Sequence, residues 1–464
     1  MKDRNLGRDR IDFGNAKIGV LFRSLFFPTL VGMIFMSVAT LTDGIFVGRG
    51  VGADGIAAVN IVAPIWMVCT GIALMLGIGA SVVASIQLSE QNVKAARIIL
   101  TQVFLVGFVV MSVMLLLCLL FSADVLRLLG CSPRLEGHAR DYLLWILPGL
   151  YFLFIQCVGM MLVRLDGSPR YAMWVQIVGS VLNFVLDWVF VFPLEMGVKG
   201  AAIATSMSCV VSGLMVLSYF LWFSDKLKFY RLKCSLTSLL LTLRNTWYMV
   251  RLGFATLLTE LAMSVMMLTG NYMFMGMLGE AGVAAFAVAC YLFPVMFSMS
   301  NAVAQSAQPI ISFNYGAHRW ERVNRALWVS LVTAIGCGLF VTVLLCVCCS
   351  WVAGMFLSPD EEAYRLAVEG LPLFSICSIF FAVNIAFIGY YQSIERAVTS
   401  TMYTMLRGVV LLVPCFILLP EVLGVEGLWL SIPAAELGAS VIICLVFLCM
   451  RRRQMRNIPH QAEA

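Results

Sequence analysis

Asn183 and Asp187 stand four residues apart inside the run from Tyr171 to Phe192, which is otherwise almost wholly apolar. On a helix that spacing stacks the two side chains on one face and sets an amide oxygen beside a carboxylate. Asp43, within Thr42-Asp43-Gly44, is a second acid in an apolar run, and Thr205 supplies one further oxygen in another. Where water is scarce, the bare carboxylate loses its hydration and is favoured by neutralisation, so these four residues suit a cage for a proton or a sodium ion. The same residues also allow a structural use, in which the carboxyls cap polar groups inside a helix bundle and Thr205 bonds its own backbone. Three more ionisable groups, Glu260, Arg407 and Glu436, lie in apolar runs. Arg407 and Glu436, on neighbouring runs, are expected to neutralise each other as a structural pair. Glu260 has no obvious basic neighbour on its own run or the next. It is expected to face a cavity and attract cations, with Asn271 and Gln305 as weaker cavity or coupling candidates.

The elements that carry these groups follow from composition. Of 464 residues, 61% are hydrophobic and only 12% charged, and the mean hydropathy is +0.95. A soluble protein has about twice that charged share, so the chain reads as a polytopic membrane protein. Windows of about 20 apolar residues, the length that crosses the hydrocarbon core, give twelve helical spans. They run from Leu21 to Phe46, Ile56 to Leu88, Ile98 to Phe121, Tyr142 to Val163, Tyr171 to Phe192, Ala201 to Phe223, Tyr248 to Leu278, Val283 to Phe313, Ala326 to Val352, Leu366 to Tyr391, Thr399 to Leu419 and Leu428 to Met450. Uninterrupted apolar runs of this length exclude a transmembrane β-barrel, whose strands alternate in short segments. The first span follows Lys2, Arg4, Arg8, Arg10 and Lys17 but has no small-residue cleavage site, so it counts as a transmembrane helix and not a signal peptide.

Of the 31 Lys and Arg residues, a twelve-span topology with a cytoplasmic amino terminus leaves only Arg49, Arg127, Arg134, Arg140, Lys199 and Arg365 outside, with Arg407 inside a span. That asymmetry satisfies the positive-inside rule and puts both termini in the cytoplasm of a cell (inner) membrane protein. The net charge of +6 is then topological and implies no nucleic-acid partner.

An internal repeat organises the chain. Gly52-Ala-Asp-Gly-Ile-Ala-Ala58 recurs in the second half as Gly279-Glu-Ala-Gly-Val-Ala-Ala285, and Pro193, Gly197, Val198 and Gly200 return at the same offset as Pro420, Gly424, Val425 and Gly427. The organisation expected is a tail at 1–17, an amino lobe at 18–223, a basic cytoplasmic linker at 224–247, a carboxy lobe at 248–450 and a second tail at 451–464. Six spans per half give parallel repeats about an axis along the membrane normal, an arrangement suited to alternating access, with the linker as a tether.

Other chemistries lack their residues. There is no GxxxxGK[ST] phosphate loop, no HExxH and no GxSxG, so neither an ATP-driven pump nor an intramembrane hydrolase is indicated. His138, His318 and His460 fall in loops or the tail. Most of the fifteen cysteines lie in apolar spans, where a thiol acts as a small hydrophobe, and the CxxC at Cys346 and Cys349 has no polar neighbours for a zinc site. Gly44, Gly48 and Gly52, and Gly77 with Gly79, are expected to allow close helix approach or bending.

The set as a whole resembles the multidrug and toxic compound extrusion (MATE) transporters. The resemblance rests on the Asp43-Gly44 region, Arg164-Leu-Asp-Gly-Ser-Pro-Arg170, Asn183-xxx-Asp187, Gly200-Ala-Ala-Ile-Ala-Thr205, Gln305-Ser-Ala-Gln-Pro309, Asn314-Tyr-Gly-Ala317 and Tyr391-Gln392. It covers roughly Ile18 to Met450 and implies the all-α MATE-type fold, twelve transmembrane helices in two parallel six-helix lobes. The acid of the first span with Asn-xxx-Asp on the fifth is similar to the amino-lobe cation site of the DinF-like branch, which implies H+ or Na+ coupling through Asp43, Asn183, Asp187 and Thr205. The NorM-like branch uses acids of the carboxy lobe, and the tenth span here offers no mid-membrane carboxylate. The function implied is antiport: export of amphipathic, often cationic drugs or toxic compounds, with no cofactor, no enzymatic activity, and a monomer in the bilayer as the working form. The alternative is a lipid-linked precursor flippase of the same superfamily, against which the single deep basic residue, Arg407, weighs.

Overall fold

The computed structural model describes residues 11–129, 131–233 and 235–457. Lys2, Arg4, Arg8, Arg10, His460 and the outer parts of both expected tails lie outside the described residues. The first half contains α1 (Ile18–Gly50), α2 (Ala53–Ser89), α3 (Val93–Leu120), the short α4 (Ser122–Leu128), α5 (Glu136–Leu165), α6 (Pro169–Val191) and α7 (Gly197–Ser218), the last continued by a π-helical turn, Tyr219–Phe223. The second half contains α8 (Leu236–Gly316), α9 (Trp320–Gly354), α10 (Glu362–Ser375), α11 (Cys377–Ser393), α12 (Ala397–Met405), a π-helical turn at Leu406–Val410, α13 (Leu412–Leu423) and α14 (Val425–Asn457).

Eleven helical stretches among the described residues are long and apolar enough to cross a membrane, with α10 and α11 forming one stretch and α12 to α13 another. The twelfth crossing is hidden in α8, whose 81 residues are divided by Gly279 at φ 64°, far from helical backbone. The twelve spans required by composition are therefore all present. Their outward faces carry exposed Leu, Val and Phe, for example Leu116, Phe108 and Val343, a pattern that lipid tolerates and water does not.

The repeat is written into the backbone as well as the sequence. Gly52 and Gly279 both take left-handed φ, 88° and 64°, and so do Gly197 and Gly424, at 59° and 62°. Gln91 and His318, related by the same offset, share this conformation at 61° and 58°. Non-glycine residues adopt it at a cost, and here both close helices, α2 and α8.

The chain divides into two compact units. One comprises Met1–Leu261, Gln305–Val329 and Gln392–Ala397, and the other Ala262–Ala304, Ser330–Tyr391 and Val398–Ala464. In the first unit, close helix approach is set by glycine. A Cβ on Gly79 would collide with the Met249 carbonyl, and one on Gly253 with the Met75 carbonyl, so α2 and the start of α8 meet backbone to backbone. Gly77 faces the other way, toward Val158 Cα of α5. The first-span glycines behave differently from expectation. Gly44 faces open space, Gly52 makes a turn, and it is Gly50 that packs against Val191. In the second unit, Phe274 stacks on Phe286 at 4.6 Å while Trp429 meets Phe274 edge-on at 4.9 Å. Gly370 leaves room for that indole.

The linker is anchored where it begins. Asp166, just past α5, accepts hydrogen bonds from Tyr219 Oη at 2.8 Å and Ser224 Oγ at 3.0 Å. It also accepts from the backbone N–H groups of Asp225, Lys226 and Leu227 at 3.1, 3.1 and 2.9 Å. Arg97 Nε holds the Lys226 carbonyl at 2.7 Å and Thr101 Oγ1 takes the Tyr230 N–H at 2.8 Å. The amino-terminal approach is pinned too. Asp12 turns the chain through the Gly14 and Asn15 N–H groups, with the Asn15 amide holding its carboxyl below the ordinary range. Arg322 Nη2 then donates to the Ala16 carbonyl at 2.8 Å. Replacing Asp166 by Ala removes five acceptor contacts at once. Because the site is half-exposed, the expected loss is about 1–3 kcal/mol, read as a lower unfolding midpoint in detergent, with Asp166→Asn intermediate.

Candidate cation site

Asp43 reaches the site from α1, Asn183 and Asp187 from successive turns of α6, and Thr205 from α7. The register of α6 explains the grouping. Its buried stripe runs through Gln176, Gly179, Asn183 and Asp187, so the acid and amide predicted to share a face do so on the face turned into the first unit. Asp187 is 1% exposed. The carboxyl groups of Asp43 and Asp187 face each other, and Asn183 lies alongside Asp187 while donating from Nδ2 to Thr205 Oγ1 at 3.3 Å.

The decisive feature is what these oxygens lack. Asp43 Oδ1 and both carboxylate oxygens of Asp187 are buried without a hydrogen-bond donor. Two carboxylates can only accept, and side by side they repel, so they cannot both stay ionised without something positive between them. A shared proton or a small monovalent cation answers both problems, and the Asn183 and Thr205 oxygens complete the donor set for the latter. Among the described residues no cluster of three or more His, Cys, Asp or Glu could hold a resident metal.

Tyr142 of α5 was not singled out in the sequence. It is buried, and the charges it feels are those of Asp43 and Asp187, which makes it part of the wall of this site. No spacing pattern pointed to it, because its partners are on other helices.

The weaker candidates do not join the pair. Glu260 of α8 is 9% exposed, with its Cβ and Cγ against Gly71 of α2 and Cys157 of α5 nearby. Gln305 Oε1 is occupied by Arg164 Nη1 at 2.7 Å, which engages Gln305 in a buried polar contact. Asn271, in the second unit, is exposed.

In the second unit the charges are differently arranged. Arg407 projects from the π-helical turn, donates from Nη1 to Glu436 Oε1, and lies 4.5 Å over the Phe381 ring. Asn384 Nδ2 donates to Glu436 Oε2 at 2.7 Å and to the Glu436 carbonyl at 2.9 Å, and Ser440 Oγ donates to Asn384 Oδ1 at 2.8 Å. Asn384, Phe381 and Ser440 were missed because each is unremarkable in its own span. Both oxygens of Glu436 are engaged and Arg407 is 3% exposed, so this group is neutral as it stands. Removing one partner, as in Arg407→Met or Glu436→Gln, should cost about 3 to 5 kcal/mol. It should appear as lost folded yield by fluorescence-detected size exclusion, with the double variant partly recovered.

Comparison with known proteins completes this description. The MatE family profile matches residues 28–189 and 255–417, two segments whose starts are separated by the offset of the internal repeat. The chain is 23% identical over 429 residues to the multidrug export protein MepA of Staphylococcus saprophyticus, covering 92% of each. It is 23% identical over 439 residues to an FAD transporter of Shewanella oneidensis, covering 93% of this chain and 94% of that one. Among solved structures, an outward-facing multidrug resistance MATE family transporter superposes with a TM-score of 0.88 over 96% of this chain and 98% of that one, at 22% identity.

Proposed function

From the membership of this chain in the MatE family of membrane transporters, we propose that it is a secondary active antiporter exporting amphipathic, often cationic compounds in exchange for H+ or Na+. The observation that carries the reading is the facing pair of Asp43 and Asp187 in the first unit, with Asp43 Oδ1 and both Asp187 oxygens without a hydrogen-bond donor. A cation there neutralises the pair, and its loss leaves two repelling carboxylates, so the two states of the site differ in free energy. A ligand that binds the two states of a transporter unequally shifts their populations, and that differential affinity is what coupling requires. One inward monovalent charge gains about 2.3 kcal/mol per 100 mV of membrane potential. The protein acts as a monomer in the cell (inner) membrane with both termini cytoplasmic, an orientation supported by the distribution of Lys and Arg.

Two cargo classes are carried by the relatives named above. Drug export is suggested by the MepA likeness, and a cationic cargo by buried carboxylates in the first unit with no Arg or Lys among the charges they feel. A dinucleotide anion is the reading suggested by the FAD transporter likeness, at the same 23% identity, and it fits the buried guanidinium of Arg164, whose Nε has no partner. Inside-out vesicles given ethidium or FAD, with pH and sodium gradients imposed separately, tell these apart. Ethidium accumulation driven by one gradient and not by the other identifies the ion. Asp43→Asn and Asp187→Asn should each lower gradient-driven accumulation at least about a hundredfold, the scale expected when a charged ligand loses its principal counter-charge, with normal folded yield. Full transport by both variants would exclude this coupling site.

A further inference from the structure

We propose that Thr29 and Gln176 form a second station for the coupling ion, a hydronium or a sodium ion, on a polar seam leading from the carboxylate pair toward the start of α6. The proposal rests on the reading of Asp43 and Asp187 as the coupling site and adds the route by which the ion reaches or leaves it.

Two atoms carry the argument. Thr29 Oγ1 and Gln176 Oε1 are both buried with no hydrogen-bond partner, in side chains that are 1% and 5% exposed. A threonine in a membrane helix ordinarily returns its hydroxyl to a carbonyl one turn back. Thr40 and Thr42 of the same helix do so, to Met36 O at 3.1 Å and Val38 O at 3.0 Å. Thr29 does not. Gln176 also reaches the turn of α1 that carries Thr29. A Cβ on Gly32 would collide with Gln176 Oε1, so the carboxamide oxygen lies on the α1 backbone within one turn of Thr29. Buried polar oxygens are nearly always satisfied, and two oxygens left open within one turn of each other along α1 suit a ligand that donates or is positive.

Gln176 stands eleven residues before Asp187 on the same buried stripe, a distance of about 16 Å along the helix. That interval is not apolar. Ser212 Oγ of α7 occupies the space that a side chain at Gly179 would fill, midway between Gln176 and Asn183. Thr205 then receives Asn183 at the upper end. The seam therefore offers an oxygen at roughly each turn, so an ion carrying a water molecule or two moves between neighbouring acceptors without a fully apolar step. At Thr29 and Gln176 a purely structural role would leave the oxygens bonded, as Thr40 and Thr42 are.

The test uses the full-length protein in liposomes. Thr29→Val keeps the shape and removes only the oxygen, Gln176→Leu removes the carboxamide, and Thr29→Ser is the restoring variant. Ethidium transport is driven by a pH gradient read with pyranine, or by a sodium gradient read with 22Na+, in separate arms. Cation binding at the carboxylate pair is read independently, as the shift of the unfolding midpoint with pH or sodium in detergent. Both disruptive variants should slow driven transport about tenfold, the factor corresponding to one lost hydrogen bond to a charged ligand. The concentration or pH at half-maximal midpoint shift should stay unchanged, and Thr29→Ser should transport like the parent. The arm that responds names the ion. Transport at the parent rate by Thr29→Val overturns the proposal even where Gln176→Leu fails to fold. So does a matching loss of binding and rate, which would make these residues supports of the carboxylate pair. Failure of the coupling reading is distinguished by Asp43→Asn and Asp187→Asn, which would then transport at full rate.

Discussion

A charge in the hydrocarbon region must be compensated, because no water is there to do it. The two units of this protein meet that constraint in opposite ways. In the second unit Glu436 faces a resident guanidinium, and Asn384 takes its remaining oxygen, so the charge is cancelled by the chain itself. In the first unit Asp43 and Asp187 face each other, no Arg or Lys is among the charges they feel, and Asp43 Oδ1 and both Asp187 oxygens are open. The first arrangement is closed to exchange. The second is left for a mobile positive charge to complete, which is what the proposed exchange supplies.

The packing of the helices is subordinate to holding such groups in register. Asp43 and Asp187 are on different helices, and the pair exists only because α1 and α6 approach closely along their length. Gly32 admits the Gln176 side chain at one level, and Gly50 admits Val191 at another. The same economy of side chains appears between α2 and α8, where Gly79 and Gly253 each rest on the other helix's carbonyl. In a bilayer, where burial of apolar surface supplies little drive between helices, close backbone approach and interhelical hydrogen bonds take its place.

These differences set what the sequence could reveal. Spans, their number and the repeat were legible because each depends on local composition or on a fixed offset, and the backbone repeats the offset at Gly52 and Gly279. Asn183 and Asp187 were legible because a four-residue spacing fixes a shared face. Arg407 and Glu436 stood out because charges are rare in apolar runs. Tyr142, Asn384 and the pairing of Arg164 with Gln305 were not legible, since each depends on contact between helices far apart in sequence and none breaks the pattern of its own span. The linker was legible only in part, for a related reason. Its basic residues suggest a tether at the lipid surface, whereas the backbone N–H groups of Asp225 to Leu227, which carry no sequence signal, bind its start to Asp166.

The offset also exposes how the halves diverged. In the first half, the positions that the repeat pairs with Asn384 and Glu436 hold Cys157 and Cys209, one half-buried and one buried thiol that are electrostatic neighbours in the first unit. In the second half, the positions paired with Asp43 and Asp187 hold Gly270 and Pro414, neither of which can carry a charge. Equivalent places in the two halves thus remain neighbours, or stay in membrane-spanning helices, while their chemistry changes completely. Two open carboxylate sites would each demand a cation, and two closed pairs would exchange none. A duplicated scaffold that keeps the fold in both copies and the open carboxylates in one confines the proposed ion exchange to a single place, α1 against α6, and leaves the other copy to hold its buried charges neutral.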